Sequence, residues 1–160
     1  MMHLPEVLRH AGMDLSCPAG AEHLNITGIS ADSRHIGPGM IFAALRGTHQ
    51  DGRAYIAQAM AAGAAALLLD TDPAFTPPPG ITVLRADDAR RSLALIARAL
   101  TPCLPSHIAA VTGTNGKTST VEFLRQIWTL QGFKAGTIGT LGAIAPCPLP
   151  DCGPVLTTPD

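Results

Sequence analysis

The chain has 160 residues, of which 46% are hydrophobic and 14% are charged, and its formal net charge is −1. This size and composition fit one ordinary domain or two small ones with a buried core, and they argue against a globally disordered chain. There is no basic excess to form a broad electrostatic footprint for DNA or RNA, so we expect no nucleic-acid partner.

Nothing in the sequence indicates a membrane segment or a secretion signal. The apolar run over residues 60–69 is too short to cross a bilayer and is followed by Asp70. The N-terminus lacks the basic start and apolar stretch of a signal peptide. We therefore expect a cytoplasmic protein without membrane insertion. The four cysteines form no CxxC pair, so they are expected to be reduced thiols and not metal ligands.

The first hundred residues alternate between strand-like and helix-like segments. Residues 4–13 predict a short helix that Gly12 helps to end, and residues 26–34 predict a strand entering a loop. Further along come a strand over 40–47, a helix over 54–64, the strand AAALLLD, a proline-rich loop over 73–80 and the strand ITVLRA.

A second helix is predicted over DDARRSLALIARAL, residues 87–100, with Asp87 or Asp88 as its N-cap. Its apolar face is expected to carry Leu93, Ile96, Ala97 and Leu100.

The proline-containing segment TPCLPSH, residues 101–107, predicts a boundary between domains 1–103 and 104–160. After it we predict a buried strand at IAAVTG, a helix at GKTSTVEFLRQIWTLQG stopped by Gly132, and a short strand with a glycine-rich turn at KAGTIGTLG. The alternation predicts an α/β fold with parallel sheets flanked by helices: a small N-terminal α/β domain followed by the start of a second domain.

The stretch VTGTNGKTST, residues 111–120, has the composition of a phosphate-binding loop. Glycines let the backbone approach phosphate groups, and the start of the following helix favours negative charge. In this interpretation Lys117 contacts the terminal phosphates and the Thr118 hydroxyl reaches Mg²⁺. Val111 stands where the pattern G-x-x-x-x-G-K-[ST] has its first glycine. The alternative is a glycine-rich β–α turn with an exposed lysine.

The departure at residue 111 is itself informative, because TGTNGKT resembles the ATP loop of the Mur ligases and their folylpolyglutamate-synthetase relatives. The segment from ADSRHIGPGM to AAALLL is similar to the N-terminal domain of the MurE and MurF types. In those ligases the DSR segment, the G-x-x-F-x-A-x-x-G strand and the DGR loop hold the UDP end of the substrate. GTIGTLG followed by LTTPD resembles the MurE type more than the MurF type.

The resemblance implies an ATP- and Mg²⁺-dependent ligase of peptidoglycan synthesis. The D-glutamyl carboxylate of UDP-MurNAc-L-Ala-D-Glu would take the γ-phosphate of ATP. A diamino acid, meso-diaminopimelate or lysine, would then attack the acyl phosphate. Positioning and electrostatics carry most of the catalysis in such reactions.

The resemblance also implies roles for individual residues, and Lys117 is the expected catalytic residue. The ATP-binding residues would be Gly113, Thr114, Asn115, Gly116, Lys117, Thr118 and Ser119, with Thr118 as the metal ligand. The substrate-binding residues would be Ala31 and Ser33 at the uridine nucleotide, Thr48, His49 and Gln50 beside it, and Thr157 and Thr158 at the muramoyl peptide. Taken alone, the DSR segment would be a turn with a capping aspartate, and Asp51-Gly52 an ordinary turn pair.

Ligases of this type have a longer central domain and a C-terminal domain that brings the amino acid. We therefore expect the chain to be the N-terminal part of a monomeric ligase that does not catalyse ligation alone. Two alternatives remain open at this stage: a MurF-type ligase, or a non-catalytic module that binds a UDP-sugar or nucleotide without turnover. The sequence does not indicate which diamino acid is added.

Overall fold

The computed structural model describes residues 2–13, 17–47, 50–101 and 105–146. The chain divides into two compact units, Met1–Leu104 and Pro105–Asp160. Parallel strands and helices alternate in the first unit, which confirms the predicted α/β class. No helix in the described ranges combines the length and apolar character needed to cross a membrane.

Most elements of the first unit follow the predicted order, but the sequence does not predict the short strand at Met2–His3, and two strands stand near the one predicted within residues 26–34. Its strands are β1 (Met2–His3), β2 (Asn25–Ile26), β3 (Gly28–Ser30), β4 (Met40–Ala43), β5 (Ala66–Asp70) and β6 (Thr82–Ala86). Its helices are α1 (Leu4–His10), α2 (Ile56–Ala61) and α3 (Ala89–Leu100), with 3-10 turns at Ser33–His35 and Gly52–Tyr55.

Strands β3 to β6 form a parallel sheet in which neighbouring strands follow the order of the chain. Strands β1 and β2 form a separate antiparallel pair. Successive side chains of a strand point to opposite faces, so the apolar run of β5 requires cover on both faces. Leu68 packs in a cluster with side chains of α1 and α3, and Leu67 packs in a second cluster with side chains of α2. The core of this unit is therefore two-sided.

Helix α3 begins where the sequence predicts it. The Asp88 carboxylate accepts a hydrogen bond from the Arg91 backbone N–H at 2.8 Å, which makes Asp88 the N-cap. Asp70, at the end of β5, accepts a hydrogen bond from the Ala89 N–H at 2.9 Å and ties the helix to the sheet. On the predicted apolar face Ile96 is fully buried, and Leu93, Ala97 and Leu100 are half-buried.

The second unit contains α4 (Lys117–Leu130) and an antiparallel hairpin of β7 (Thr137–Gly139) and β8 (Gly142–Ile144). The predicted helix and its stop are confirmed, because α4 ends two residues before Gly132, whose φ is +86°. Its predicted apolar face is only half covered: Val121, Leu124 and Trp128 are half-buried and Ile127 is exposed.

The predicted buried strand at IAAVTG, residues 108–113, is wrong. This segment pairs with no strand in the described ranges, and Ile108 is 77% exposed. A strand forms only where a neighbour satisfies its backbone groups. Within residues 105–146 the strands present are β7 and β8, which pair with each other, so the parallel sheet expected here is not seen in that range.

Candidate functional site

The phosphate loop owes its shape to two glycines. Gly113 has a φ of +140° and Gly116 a φ of +77°, values that residues with a side chain rarely adopt. An added Cβ on Gly116 would meet nothing within 4 Å, so its conformation and not space requires glycine there. Gly116 directly precedes α4, whose first-turn N–H groups lack carbonyl partners within the helix. The loop therefore presents backbone donors of the kind that bind phosphate.

The Lys117 side chain folds over this loop. Its Nζ donates to the carbonyl oxygen of Gly113 at 2.5 Å and to that of Thr114 at 3.4 Å. The ammonium group therefore lies beside the backbone donors of the loop, where a charge-assisted hydrogen bond to a phosphate oxygen is possible. Thr114, Asn115 and Ser119 are exposed around it.

Thr118 contacts the hairpin of its own unit. Its Oγ1 lies 2.8 Å from Oγ1 of Thr140, in the turn between β7 and β8. A neutral hydroxyl oxygen is a hard donor of the kind that Mg²⁺ accepts. The loop offers three hydroxyl groups, one ammonium and several backbone N–H groups, and this combination fits a phosphate ligand that carries Mg²⁺.

Ser33 lies in the 3-10 turn that follows β3. It is 8% exposed, and its Oγ donates to Oε1 of Gln58 at 2.9 Å. Asp32 caps the turn by accepting from the Arg34 backbone N–H at 2.9 Å, as the local sequence indicates. Hydrogen bonds from the Arg34 guanidinium lower the pKa of Asp32 to about 2. The neighbouring Ala31 is exposed.

The loop after β4 is held by close backbone packing. A Cβ on Gly52 would lie 2.6 Å from the Leu45 carbonyl oxygen, so Asp51-Gly52 is more than an ordinary turn pair. Gly47 donates its N–H to the Gln50 carbonyl at 2.9 Å, and Gln50 Oε1 accepts from the Tyr55 hydroxyl at 3.0 Å. Gln50 itself is exposed. Hydrogen bonds thus hold both the backbone and the side chain of Gln50 at the surface.

Sequence reasoning missed the ion-pair network that borders this loop. The Arg53 guanidinium binds Asp51 at 2.5 Å and Asp72 at 2.9 Å, and Arg46 also pairs with Asp72. Arg53 also stacks 4.8 Å above the Phe75 ring. Hydrogen bonds from Arg53 lower the pKa of Asp51. The pKa of Asp72 is lowered mainly by a hydrogen bond from the Ala74 backbone N–H, and also by the positive charge of Arg46.

The ion-pair network lies beyond the carboxyl ends of β4 and β5, the edge of a parallel sheet where ligands commonly bind. Four predicted site residues, Thr48, His49, Thr157 and Thr158, lie outside the described residues. The structure thus holds Ser33 against Gln58 and Gln50 against Tyr55, and it brings Lys117 and Thr118 to the same loop.

Two family models match the chain and together cover most of it. Residues 25–112 match the Mur ligase family catalytic domain, and residues 111–160 match the Mur ligase middle domain. This chain belongs to the Mur ligase family. The resemblance inferred from TGTNGKT and the DSR and DGR segments is therefore confirmed at the level of the family.

Among curated relatives, the UDP-N-acetylmuramoyl-L-alanyl-D-glutamate--2,6-diaminopimelate ligase of Caulobacter vibrioides is 48% identical over 139 residues. The match covers 84% of this chain and 28% of that protein. The chain therefore spans little more than a quarter of the length of this relative. The MurE-type resemblance is borne out over this N-terminal portion.

Two solved structures are similar to this chain, and one of them is a ligase of the same type as the curated relatives. A UDP-N-acetylmuramoyl-L-alanyl-D-glutamate--2,6-diaminopimelate ligase matches with a TM-score of 0.68 and 27% identity, over 84% of this chain and 28% of that one. The MurF ligase of Thermotoga maritima in complex with ADP matches with a TM-score of 0.51 and 23% identity, over 68% and 24%. At that identity the MurF likeness concerns the fold alone.

Proposed function

We propose that this Mur ligase chain is part of an ATP-dependent ligase that joins a diamino acid to UDP-MurNAc-L-Ala-D-Glu. In the names of the matched relatives the diamino acid is 2,6-diaminopimelate. Residues 1–103 would hold the UDP end of the substrate, and residues 104–160 would begin the ATP-binding domain. The observation that carries the proposal is the glycine-shaped loop at the start of α4, with Lys117 and Thr118 beside its backbone donors.

In the proposed reaction the loop holds the transferring phosphate. Lys117 would exchange its contacts with the Gly113 and Thr114 carbonyls for contacts with phosphate oxygens. The N–H groups from Gly113 to Ser119 would bind the remaining oxygens, and Thr118 would hold Mg²⁺. Bound Mg²⁺ neutralises charge on the phosphoryl group. The γ-phosphate would pass from ATP to the D-glutamyl carboxylate, with ADP as the leaving group. The amine of the diamino acid would then attack the acyl carbon, lose a proton and release inorganic phosphate.

At the other end of the substrate, Ser33 and Ala31 would lie at the uridine nucleotide, with Gln50, Thr48 and His49 beside it. Ser33 uses its one hydroxyl proton on Gln58, so toward a ligand it can act only as a hydrogen-bond acceptor. That suits the ring N–H of uracil.

Thr157 and Thr158 would contact the muramoyl peptide. We expect a cytoplasmic monomer without membrane insertion, whose partners are small molecules and not nucleic acids.

The proposal is tested by calorimetric titration of the protein with UDP-MurNAc-L-Ala-D-Glu, UDP-MurNAc-tripeptide and UDP. The dipeptide form is expected to bind more tightly than the tripeptide product and UDP. A sample that is folded by circular dichroism yet binds none of the three would contradict the nucleotide-sugar assignment. Binding of UDP alone with the same affinity as the dipeptide form would contradict recognition of the peptide.

A further inference from the structure

The hydroxyl pair of Thr118 and Thr140 joins the start of α4 to the hairpin across 22 positions of sequence. The two Oγ1 atoms lie 2.8 Å apart, a normal hydrogen-bond distance. Thr140 is in the two-residue turn between Gly139 and Gly142, which pair with each other across the hairpin. Thr140 belongs neither to the phosphate-loop motif nor to the proposed metal ligands.

This contact differs from those made by other threonines of the same helix. Thr120 donates its hydroxyl to the Gly116 carbonyl at 2.9 Å, and Thr129 donates to the Arg125 carbonyl at 2.8 Å. Both bonds follow the ordinary pattern, in which a helical threonine bonds to the carbonyl four residues before it. The corresponding carbonyl for Thr118 is that of Thr114, which accepts from Lys117 instead. Thr118 is thus turned toward the hairpin.

The chemistry of metal binding gives this orientation a purpose. A hydroxyl has one proton and two lone pairs, and a cation attracts the lone pairs and repels the proton. When the Thr118 oxygen faces a cation, its proton must point away toward an acceptor. Oγ1 of Thr140 lies at the right distance to accept it.

The hairpin that carries Thr140 is itself held closely. An added Cβ on Gly136, directly before β7, would lie 2.8 Å from the Ile144 carbonyl oxygen, so the open end of the hairpin requires glycine. Gly142, directly after the turn, has a φ of +89°. Thr140 therefore lies in a two-residue turn that is followed directly by a glycine in a left-handed conformation.

We propose that Thr140 is a positioning residue that accepts the Thr118 hydroxyl proton and so directs the Thr118 lone pairs toward the Mg²⁺ bound with ATP. The inference rests on the proposed function, since it needs Thr118 to be a magnesium ligand. The turn of GTIGTLG would then help to orient a ligand of the nucleotide site. In the sequence, this segment served only to distinguish the MurE type from the MurF type.

The test measures how much Mg²⁺ strengthens binding of a non-hydrolysable ATP analogue. Each protein is titrated with the analogue in excess Mg²⁺ and again in EDTA, and the ratio of the two dissociation constants is compared. Thr140→Val keeps the shape but removes the acceptor, and is expected to lower the ratio roughly fivefold, as loss of one hydrogen bond does. Its affinity in EDTA should not change.

Two variants complete the design. Thr140→Ser retains the hydroxyl and is expected to retain the ratio of the unaltered protein. Thr129→Val removes a hydroxyl of the same helix that donates to the helix carbonyl of Arg125, and it should leave the ratio unchanged.

Each contrary result has its own meaning. An unchanged ratio in Thr140→Val overturns the role of Thr140 and leaves the proposed function standing. Equal weakening in Mg²⁺ and in EDTA also overturns it, because that result indicates a merely structural contact. If the unaltered protein binds the analogue with no Mg²⁺ dependence, or not at all, the metal assignment of Thr118 fails and the inference falls with it.

Discussion

The two units of the chain bury their apolar side chains to very different degrees. In the first unit the strand residues Ile41, Phe42, Leu67 and Leu68 are completely buried, because helices cover both faces of the sheet. In the described part of the second unit, Ala135 is the buried apolar residue, while Leu130 is 88% exposed. A parallel sheet with covered faces can stabilise itself, whereas one helix and one hairpin offer too little surface to enclose a core.

The candidate binding residues of the two units are held in place by different means. In the first unit, side-chain networks fix the turns: Asp32 binds Arg34, and Arg53 bridges Asp51 and Asp72. In the second unit, the backbone conformation of Gly113 and Gly116 shapes the loop, and the side chains bond to carbonyls and hydroxyls. The comparison indicates that stability and binding should respond differently to mutation in the two units.

The largest expected difference concerns stability. Leu67→Ala removes a fully buried side chain from the central part of the sheet and should lower the free energy of unfolding by about 2–5 kcal/mol. Leu130→Ala makes the same chemical change at an exposed position and should alter it by less than about 0.5 kcal/mol. Urea unfolding followed by circular dichroism measures both. Equal losses would show that the two units do not differ in burial as described.

The second prediction separates the two binding functions. Lys117→Ala should weaken ATP binding by roughly 100-fold or more, because a charged hydrogen-bond donor to phosphate is lost. Binding of UDP-MurNAc-L-Ala-D-Glu should remain unchanged, since the lysine belongs to the phosphate loop. Calorimetric titration with each ligand measures the two affinities. Equal weakening of both would contradict two separate sites.

Ser33→Ala is the reciprocal change in the first unit and should have a smaller effect. Removal of one hydroxyl acceptor, and of the donor to Gln58, should weaken UDP-substrate binding by roughly fivefold. ATP affinity should not change. Titrations with ATP and with UDP-MurNAc-L-Ala-D-Glu measure both affinities, and Lys117→Ala is the control variant that should affect ATP binding instead. A loss of ATP affinity in Ser33→Ala would remove the distinction between the units.

The smallest expected effect depends on pH. The pKa of Asp32 is lowered from 3.8 to about 2 by Arg34, so its contribution to stability is complete above pH 4 and is lost as the pH falls through 2. Asn at this position keeps a capping oxygen but does not titrate. Asp32→Asn should therefore flatten the fall in the unfolding midpoint between pH 4 and pH 2. Identical profiles for both proteins would contradict the Asp32–Arg34 pair.

Much of the local structure follows from short stretches of sequence. The alternation of strands and helices in the first unit and the Asp88 cap are set by periodicity and by neighbouring residues. The helix that begins at Lys117, directly after GTNG, can be read in the same way, because glycine readily adopts the positive φ of Gly116. IAAVTG reads equally well as a strand, and this reading fails because the described residues contain no strand to pair with it.

The sequence by itself thus determined the alternation of the main elements in the first unit, the Asp88 cap, the start of α4 and the family, since each depends on residues close together in the chain. The tertiary structure alone decided which distant side chains meet. Ser33 finds Gln58, Arg53 finds Asp72 and Thr118 finds Thr140, at separations of 25, 19 and 22 residues. Such contacts depend on the order of the strands in the sheet and on the direction in which each turn places its side chains. Hydrophobic periodicity encodes neither.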